Sequence, residues 1–454
     1  MGISSSHSEQ YHIARRRFII FSLIGVLLFI TPLPWNGEWG VGVGILAGIF
    51  RSLLPPNSLQ VIALSVVVLS SVVTLIALIF KPKIFKENQK LKELFLPASI
   101  WIILRMIGAI FIVMIFFQIG PEWVYNKNTG GTILNDLNPT LLPFFLFAIL
   151  LMPFLVEYGL MEFIGTMLSK PFSRLFRLPG RSAIDAAASW LGSSAVGVII
   201  TAQQYENGFY SEREAATIST NFTISSVVFS FLIATVLGIP HYFIPFYATV
   251  VFTAIIIGII LPRIPPLSLK KDTYLTGKVP TAEEAPKNVS SYKYAVNRAI
   301  DKSEHAPKLR VAVKDSVFVL MDVYFGLMPV VFAIGTIALA LSEYTQLFNY
   351  LSLPFYYLLE WFNVPDAKAA APSLLVGFAD IFLPAVLGAS VESEMTRFII
   401  ACTSVIQVIY MTEVGALVIK SKIKLNILEL FILFILRTLI GLPIIVLVAK
   451  WIIF

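Results

Sequence analysis

The chain has 454 residues, of which 57% are hydrophobic and 13% charged, and its mean hydropathy is +0.82. A soluble protein of this length cannot hide so much apolar surface, and several runs exceed the roughly 18 apolar residues needed to cross a hydrocarbon core. The runs are continuous rather than alternating, which excludes a β-barrel. The net charge of +7 comes from short basic clusters beside apolar runs, where Lys and Arg set membrane orientation, and not from a nucleic-acid face.

Apolar runs fall at 18–34, 37–54, 59–80, 94–118, 138–166, 183–202, 214–237, 242–261, 316–341, 369–391, 396–419 and 427–452. The first follows Arg15–Arg17 but lacks a small-residue cleavage site and runs into Pro32 and Pro34, so it reads as a retained first helix. If the first three runs all cross from an internal amino terminus, Lys81 lands outside, so one must fail to cross. Run 37–54, which holds Gly40, Gly42, Gly44, Gly48 and Arg51 and has Trp35 and Trp39 at its flank, is read as an external re-entrant or interfacial segment. The alternative is an external amino terminus. Arg105, inside run 94–118, requires a buried partner.

Basic residues mark cytoplasmic flanks. Segment 81–92 (KPKIFKENQKLK), the cluster Lys170, Arg174, Arg177 and Arg181, the polar stretch 263–313 and the group Lys420, Lys422 and Lys424 all fall inside. The stretch 263–313 carries Lys270, Lys271, Lys278, Lys287, Lys308 and Arg310. The base-poor segment 120–138 falls outside. Run 138–166 then passes from outside to inside, and runs 214–237 and 242–261 leave the inside and return to it. Run 183–202 therefore begins and ends inside. Run 316–341 passes outward and run 396–419 ends inside at Lys420, so run 369–391 begins and ends outside. Neither 183–202 nor 369–391 is a simple span. Both read as re-entrant helical hairpins entering from opposite faces, with turns supplied by Gly192, Ser193 and Ser194 in one and by Asp380 to Pro384 in the other. The expected fold is an all-α polytopic membrane protein with about nine spanning helices and two opposed hairpins in an inverted repeat.

In chain order this gives an amino-terminal helical scaffold (1–137), a first repeat (138–262) with hairpin 183–202, a cytoplasmic linker (263–313), and a second repeat (314–454) with hairpin 369–391 and a final helix. Faint likenesses pair KPFSRLF (170–176) with LPFYYLL (353–359), AIDAAASWLG (183–192) with AKAAAPSLLVG (367–377), and SEREAATIST (211–220) with VESEMTRFII (391–400).

The stretches PGRSAIDAAASWLGSSAVGVIITAQQYENGFYSEREAATISTNFTISS (179–226) and GFADIFLPAVLGASVESEMTRFIIACTSVIQVIYMTEVG (377–415) resemble nucleoside-recognition Gate-domain membrane proteins of the YjiH-like type. The resembling region runs over roughly 140–420. Gate domains are similar in layout to concentrative nucleoside transporters and to the membrane part of ferrous-iron permeases. The resemblance implies a transport fold with two opposed hairpins around a central site. This chain shows no GTPase domain and its one cysteine, Cys402, stands alone, so iron is disfavoured.

Several polar residues inside apolar runs are candidates for that site. In TISTNFTISS (217–226), Thr217, Asn221 and Ser225 recur every four residues and share a helix face. Thr223 lies beside them. The face serves either a solute or helix–helix packing, for which Ser and Thr are common glue. Its counterpart in the second repeat is the face of Thr403, Gln407 and Tyr410. Ser193 and Ser194 either donate to a solute or only make the turn. Asp380, at a hairpin tip, either binds a cation or caps the second half-helix. Glu413 is an ion-site candidate or an interfacial partner of Lys420, and Glu157 is a proton-site candidate. Glu162 is expected to reach Lys170 or Arg174, and Asp185 to cap its helix or pair with Arg181. Glu212, Glu214, Glu392 and Glu394 mark helix starts.

There is no phosphate loop, no zinc spacing and no nucleophile–base pair, so neither a cofactor nor an enzyme is expected. The expectation is a multi-pass plasma-membrane protein, embedded in the lipid bilayer, that moves a small polar solute with H⁺ or Na⁺ and binds no nucleic acid. The alternative is a non-transporting Gate subunit acting with a partner. A homo-oligomer or a second Gate protein fits either reading. The parity count predicts that a cysteine placed at residue 208 is labelled from inside and one at residue 392 from outside. Labelling of both from one face removes the inverted repeat.

Overall fold

The computed structural model describes residues 2–35, 38–277, 290–346 and 350–454. It is almost wholly helical. Among the described residues, six helical stretches are long and apolar enough to cross a membrane: Ser58–Phe80, Ser99–Phe117, Glu122–Val156, Pro240–Arg263, Leu309–Leu341 and Ile427–Ile453. The strands Pro32–Trp35 and Glu38–Val41 pair antiparallel ahead of a helix, Gly42–Leu53, whose 12 residues are too few to span.

The chain divides into two compact units that interleave along the sequence. One comprises residues 1–42, 152–308 and 354–454, and the other residues 43–151 and 309–353. These units cut across the segments read from the sequence, because residues 309–353 pack with helices some 200 positions earlier.

In the smaller unit, helix Ser99–Phe117 packs on helix Met328–Tyr344. The approach is so close that a Cβ built on Gly108 falls 1.9 Å from the carbonyl oxygen of Pro329. Small residues permit this kind of contact between apolar helices. Arg105, only 2% exposed, finds the partners the sequence left open. Its Nη1 donates to Thr74 Oγ1 (2.8 Å) and its Nη2 to the Leu94 carbonyl (3.0 Å), and it lies within the field of Asp322. Asp322 stands at the start of a π-helical turn, Val323–Leu327. Segment 120–138, expected outside, is folded: Glu122–Tyr125 is helical and two π-helical turns, Lys127–Gly131 and Ile133–Leu137, lead into helix Asn138–Leu151.

The larger unit repeats one order of elements twice. First come a helix (Leu160–Phe176), a pair of short helices (Ser182–Leu191 and Ser194–Glu206), an interrupted helix (Glu212–Asn221 and Val227–Val236) and a long helix (Phe243–Ile260). The second series is a helix (Leu353–Trp361), a short pair (Ala367–Val376 and Leu383–Gly388), an interrupted helix (Glu394–Gln407 and Val414–Lys420) and a long helix (Ile427–Val448). Each interrupted helix starts at a serine cap, which satisfies free N–H groups of its first turn. Ser211 Oγ accepts from Glu214 N and Ser393 Oγ accepts from Thr396 N. Within each short pair the two helices pack on one another.

The two pairs begin and end at opposite ends of this unit. Beside the first, Glu206 and Glu212 meet Lys422 and Lys424 at 3.4 and 3.1 Å, near Lys270 and Glu429, which are 2.8 Å apart. The Glu212 carboxylate holds the Lys424 ammonium above its usual pKa range. Beside the second, Asp366 Oδ2 accepts from Ser393 N (3.0 Å) and Glu394 reaches His241 (3.9 Å). His241 immediately precedes helix Phe243–Ile260, whereas Lys270 lies beyond its other end.

The polar stretch 263–313 contains helix of its own. Helix Ser291–His305 packs against helices Leu160–Phe176 and Gly2–Phe29. Lys278 and Lys287 lie outside the described residues. Glu162 pairs with Lys302 of this helix (3.7 Å), not with Lys170 or Arg174, because the packing of helix on helix brings Lys302 closer. Gly108→Ala is expected to cut the yield of folded, monodisperse protein severely, since its clash is with backbone and no rotamer relieves it. Parent-like yield and size-exclusion profile in that variant contradict the packing.

Candidate functional site

Four helix interruptions come together in the larger unit. The first is at Gly192, which ends one short helix, while Ser193 caps the next with its Oγ accepting from Ala195 N (3.2 Å). The second spans 377–382, where Asp380 Oδ1 accepts from Phe382 N (2.7 Å) and Leu383 N (3.3 Å). Asp380 thus fastens the start of the following short helix, and Pro384 sits in that helix's first turn, where its missing N–H costs nothing.

The other two interruptions fall where the sequence predicts continuous helices. Residues 222–226 leave the helix between Asn221 and Val227, and residues 408–413 leave it between Gln407 and Val414. Ser225 therefore does not share a helix face with Thr217 and Asn221, and Tyr410 does not share one with Thr403 and Gln407. At the second break Val408 adopts φ +61°, a conformation that a β-branched residue rarely takes. Ile409 N donates back to the Gln407 carbonyl across it (2.6 Å).

Side chains and backbone from the short pairs satisfy the freed groups. Ser189 Oγ donates to the Ile224 carbonyl (2.9 Å) and Trp190 Nε1 to the Phe222 carbonyl (3.0 Å). Met411 N and Thr412 N donate to the carbonyls of Phe378 (2.9 Å) and Ala379 (3.1 Å). The first interrupted helix is thereby bonded to the first pair, and the second interrupted helix to the second pair.

Two carboxylates then link the pairs. Glu413 Oε1 accepts from Ser193 Oγ (3.2 Å) and Ala195 N (3.1 Å), and its Oε2 accepts from Tyr410 OH (3.1 Å). Ser194, which begins the second short helix, is buried. Asp380 Oδ2 accepts from Thr412 Oγ1 (2.8 Å), one residue before Glu413. Ser193, Asp380, Thr412 and Glu413 are all half-buried. Glu413 bonds across to the first pair instead of reaching Lys420, because the break turns it inward.

A second, fully buried group sits beside it. Gln407 Nε2 donates to the Leu374 carbonyl (2.9 Å) and Thr438 Oγ1 (3.0 Å). A Cβ on Gly377 falls 2.0 Å from Gln407 Oε1, so only glycine admits this amide. Asn221 Nδ2 donates to the Thr217 carbonyl (3.0 Å) and Thr223 Oγ1 to the Ser219 carbonyl (2.8 Å). The Thr403 hydroxyl and Gln407 Oε1 have no hydrogen-bond partner among the described residues. Arg437, which is 0% exposed, donates from Nε to the Ile406 carbonyl (2.6 Å) and from Nη1 to the Thr220 carbonyl (2.9 Å) and Asn221 Oδ1 (3.0 Å).

Glu157 belongs to neither group. It lies at the end of the short helix Pro153–Val156 and, among the described residues, makes no ion pair. Asp185 does not cap its helix, and it lies within the field of Arg181. Its Oδ2 accepts from Thr201 Oγ1 (3.0 Å) and Tyr210 OH (2.9 Å), which ties the two helices of the first pair together. Sequence reasoning passed over Arg437, although an arginine in the middle of a long apolar run is itself a signal of function.

The fold and this cluster define a multi-pass helical membrane protein built around interrupted helices. The Gate family, described as nucleoside recognition, matches residues 139–240. The uncharacterized protein BpOF4_10220 of Alkalihalophilus pseudofirmus is 49% identical over 438 residues, which cover 95% of this chain and 94% of that one. The chain belongs with that protein to one family of Gate-domain membrane proteins. Two solved structures also align at 14% identity. CNTnw in an inward-facing substrate-bound state has a TM-score of 0.42 and is covered over 97% of each chain. A CNTnw variant in the intermediate 1 state has a TM-score of 0.44, covering 96% of this chain and 98% of that one.

Replacing Glu413 by Ala leaves three donors (Ser193 Oγ, Ala195 N and Tyr410 OH) short of an acceptor. A loss of about 1–3 kcal/mol is expected for such a deletion, read as a lower unfolding temperature of the purified protein. Glu413→Gln keeps an acceptor and should lose less. Equal stability of the Ala variant and the parent would show that Glu413 does not hold the two pairs together.

Proposed function

We propose that the chain is a secondary transporter of the cell membrane that moves a small polar solute of nucleoside type, coupled to H⁺ or Na⁺. The observation that carries this reading is the junction of four helix interruptions at Glu413 and Asp380. Unwound backbone at membrane depth is tolerated where it is buried in protein or lines a water-filled cavity. In transporters, half-helix ends and freed carbonyls at such places bind solute and coupling ion. The match to the Gate family, described as nucleoside recognition, supports the solute class.

In this reading Ser193, Ser194 and Thr412 face the solute as adjustable hydroxyl donors and acceptors, and Asp380 and Glu413 supply the charge that couples it to a cation. Asn221, Thr223, Ser225, Thr403 and Gln407 line or support the same region from the two interrupted helices. The short pairs form the two closures, entering from opposite faces, and the carboxylates' bonds between them break and reform as one side opens.

The test is uptake of labelled purine and pyrimidine nucleosides into liposomes containing only this protein, with an imposed H⁺ or Na⁺ gradient. Gradient-driven uptake is expected, and Asp380→Asn should reduce its dependence on the gradient while leaving the fold intact, because Asn caps a helix about as well as Asp. No uptake under either gradient, with uptake restored by a co-reconstituted partner membrane protein, identifies a Gate subunit instead.

A further inference from the structure

Arg437 poses a problem of charge. It is 0% exposed, it lies within the apolar helix Ile427–Val448, and among the described residues no carboxylate forms an ion pair with it. An isolated cation so placed is costly unless something of opposite sign surrounds it. Its three acceptors identify that something. The Thr220 carbonyl and Asn221 Oδ1 belong to the last turn of helix Glu212–Asn221, and the Ile406 carbonyl to the last turn of helix Glu394–Gln407. Both helices are interrupted immediately beyond these residues. The C-terminus of a helix carries the equivalent of about −0.5 of an elementary charge. Two of them meeting at one guanidinium amount to about −1, which matches its charge of +1.

Two main-chain carbonyls and one amide oxygen, drawn from two half-helix ends, form the kind of oxygen set that holds a monovalent cation in transporters with broken helices. Here the chain itself fills the position. We propose that Arg437 is a built-in cation that takes the place of a bound ion at the meeting point of the two half-helix C-termini and holds both breaks in register. It is a positioning residue. It reaches the solute cluster through Ile406 and Gln407, which lead directly into the Val408–Glu413 break. Its Nη2 has no partner among the described residues, so the guanidinium is held from one side only. In the transport reading the coupling ion then belongs with Asp380 and Glu413, and not at the two half-helix C-termini that Arg437 already fills. This inference deepens the transport reading and rests on it for the last point alone.

The test uses thermal unfolding of the purified full chain, which needs neither solute nor uptake and so separates failure of this inference from failure of the transport reading. Arg437→Ala leaves the two C-termini facing a cavity the size of the lost side chain. Its unfolding temperature should fall by several degrees, and low-millimolar guanidinium should restore most of the loss while leaving the parent unmoved. Arg437→Lys keeps the charge and should unfold close to the parent. The uncharged, similarly long Arg437→Met should behave like the unrescued Ala variant. If Arg437→Ala cannot be purified, the Lys and Met pair decides. A Met variant as stable as the Lys variant, or an Ala variant that guanidinium does not stabilise, overturns the proposal.

Discussion

A backbone group that leaves a helix inside a hydrocarbon layer has no water to turn to and must find its partner within the protein. The larger unit of this chain is organised by that constraint. It breaks helices at 192–193, 222–226, 377–382 and 408–413, and the groups set free at one break are met by side chains or backbone from another. Trp190 and Ser189 serve the carbonyls at 222 and 224, the carbonyls of 378 and 379 serve the amides at 411 and 412, and Glu413 serves the amide at 195. No break is satisfied by its own strand of sequence alone. The four are consequently one structure, and disturbing any of them exposes groups in the others.

The same constraint explains the distribution of charge. Acids sit at the breaks where donors converge: Asp380 accepts from two amides and a hydroxyl, and Glu413 from an amide and two hydroxyls. The buried base sits where acceptors converge, at the ends of two half-helices. Each charge is placed against backbone dipoles of opposite sign rather than against a counter-ion. That arrangement leaves both carboxylates half-buried and without a basic side chain bonded to them among the described residues. Arg105 in the smaller unit follows another pattern, with a hydroxyl, one carbonyl and the nearby Asp322, as expected of a residue that fixes a scaffold.

The sequence disclosed the breaks that residue type enforces. Gly192–Ser193–Ser194 and the stretch from Gly377 to Pro384 cannot continue a helix comfortably, and charge parity predicts that neither run crosses simply. The breaks at 222–226 and 408–413 were hidden. The segments FTISS and VIYMTE contain no glycine or proline to enforce a break, and both sit inside apolar runs long enough to read as continuous helix. Their unwinding is imposed by bonds from Trp190 and Ser189 and from the backbone of 378 and 379, residues 30 or more positions away. For the same reason Glu413 reads from sequence as a neighbour of Lys420, whereas the break turns it toward Ser193. Asn221 and Gln407 were visible as polar residues in apolar runs, but their common dependence on the closing helix was not, since Arg437 lies in a run that otherwise reads as a plain span.

The central claim is that the four interruptions form one solute site. Hydrogen–deuterium exchange of the purified protein, compared with and without saturating nucleoside, tests it without requiring transport. Amides in 192–195, 222–226, 377–383 and 408–413 should become protected together, with little change in the helices of the smaller unit. Protection confined to one break, or lying elsewhere in the chain, contradicts a single site built from all four.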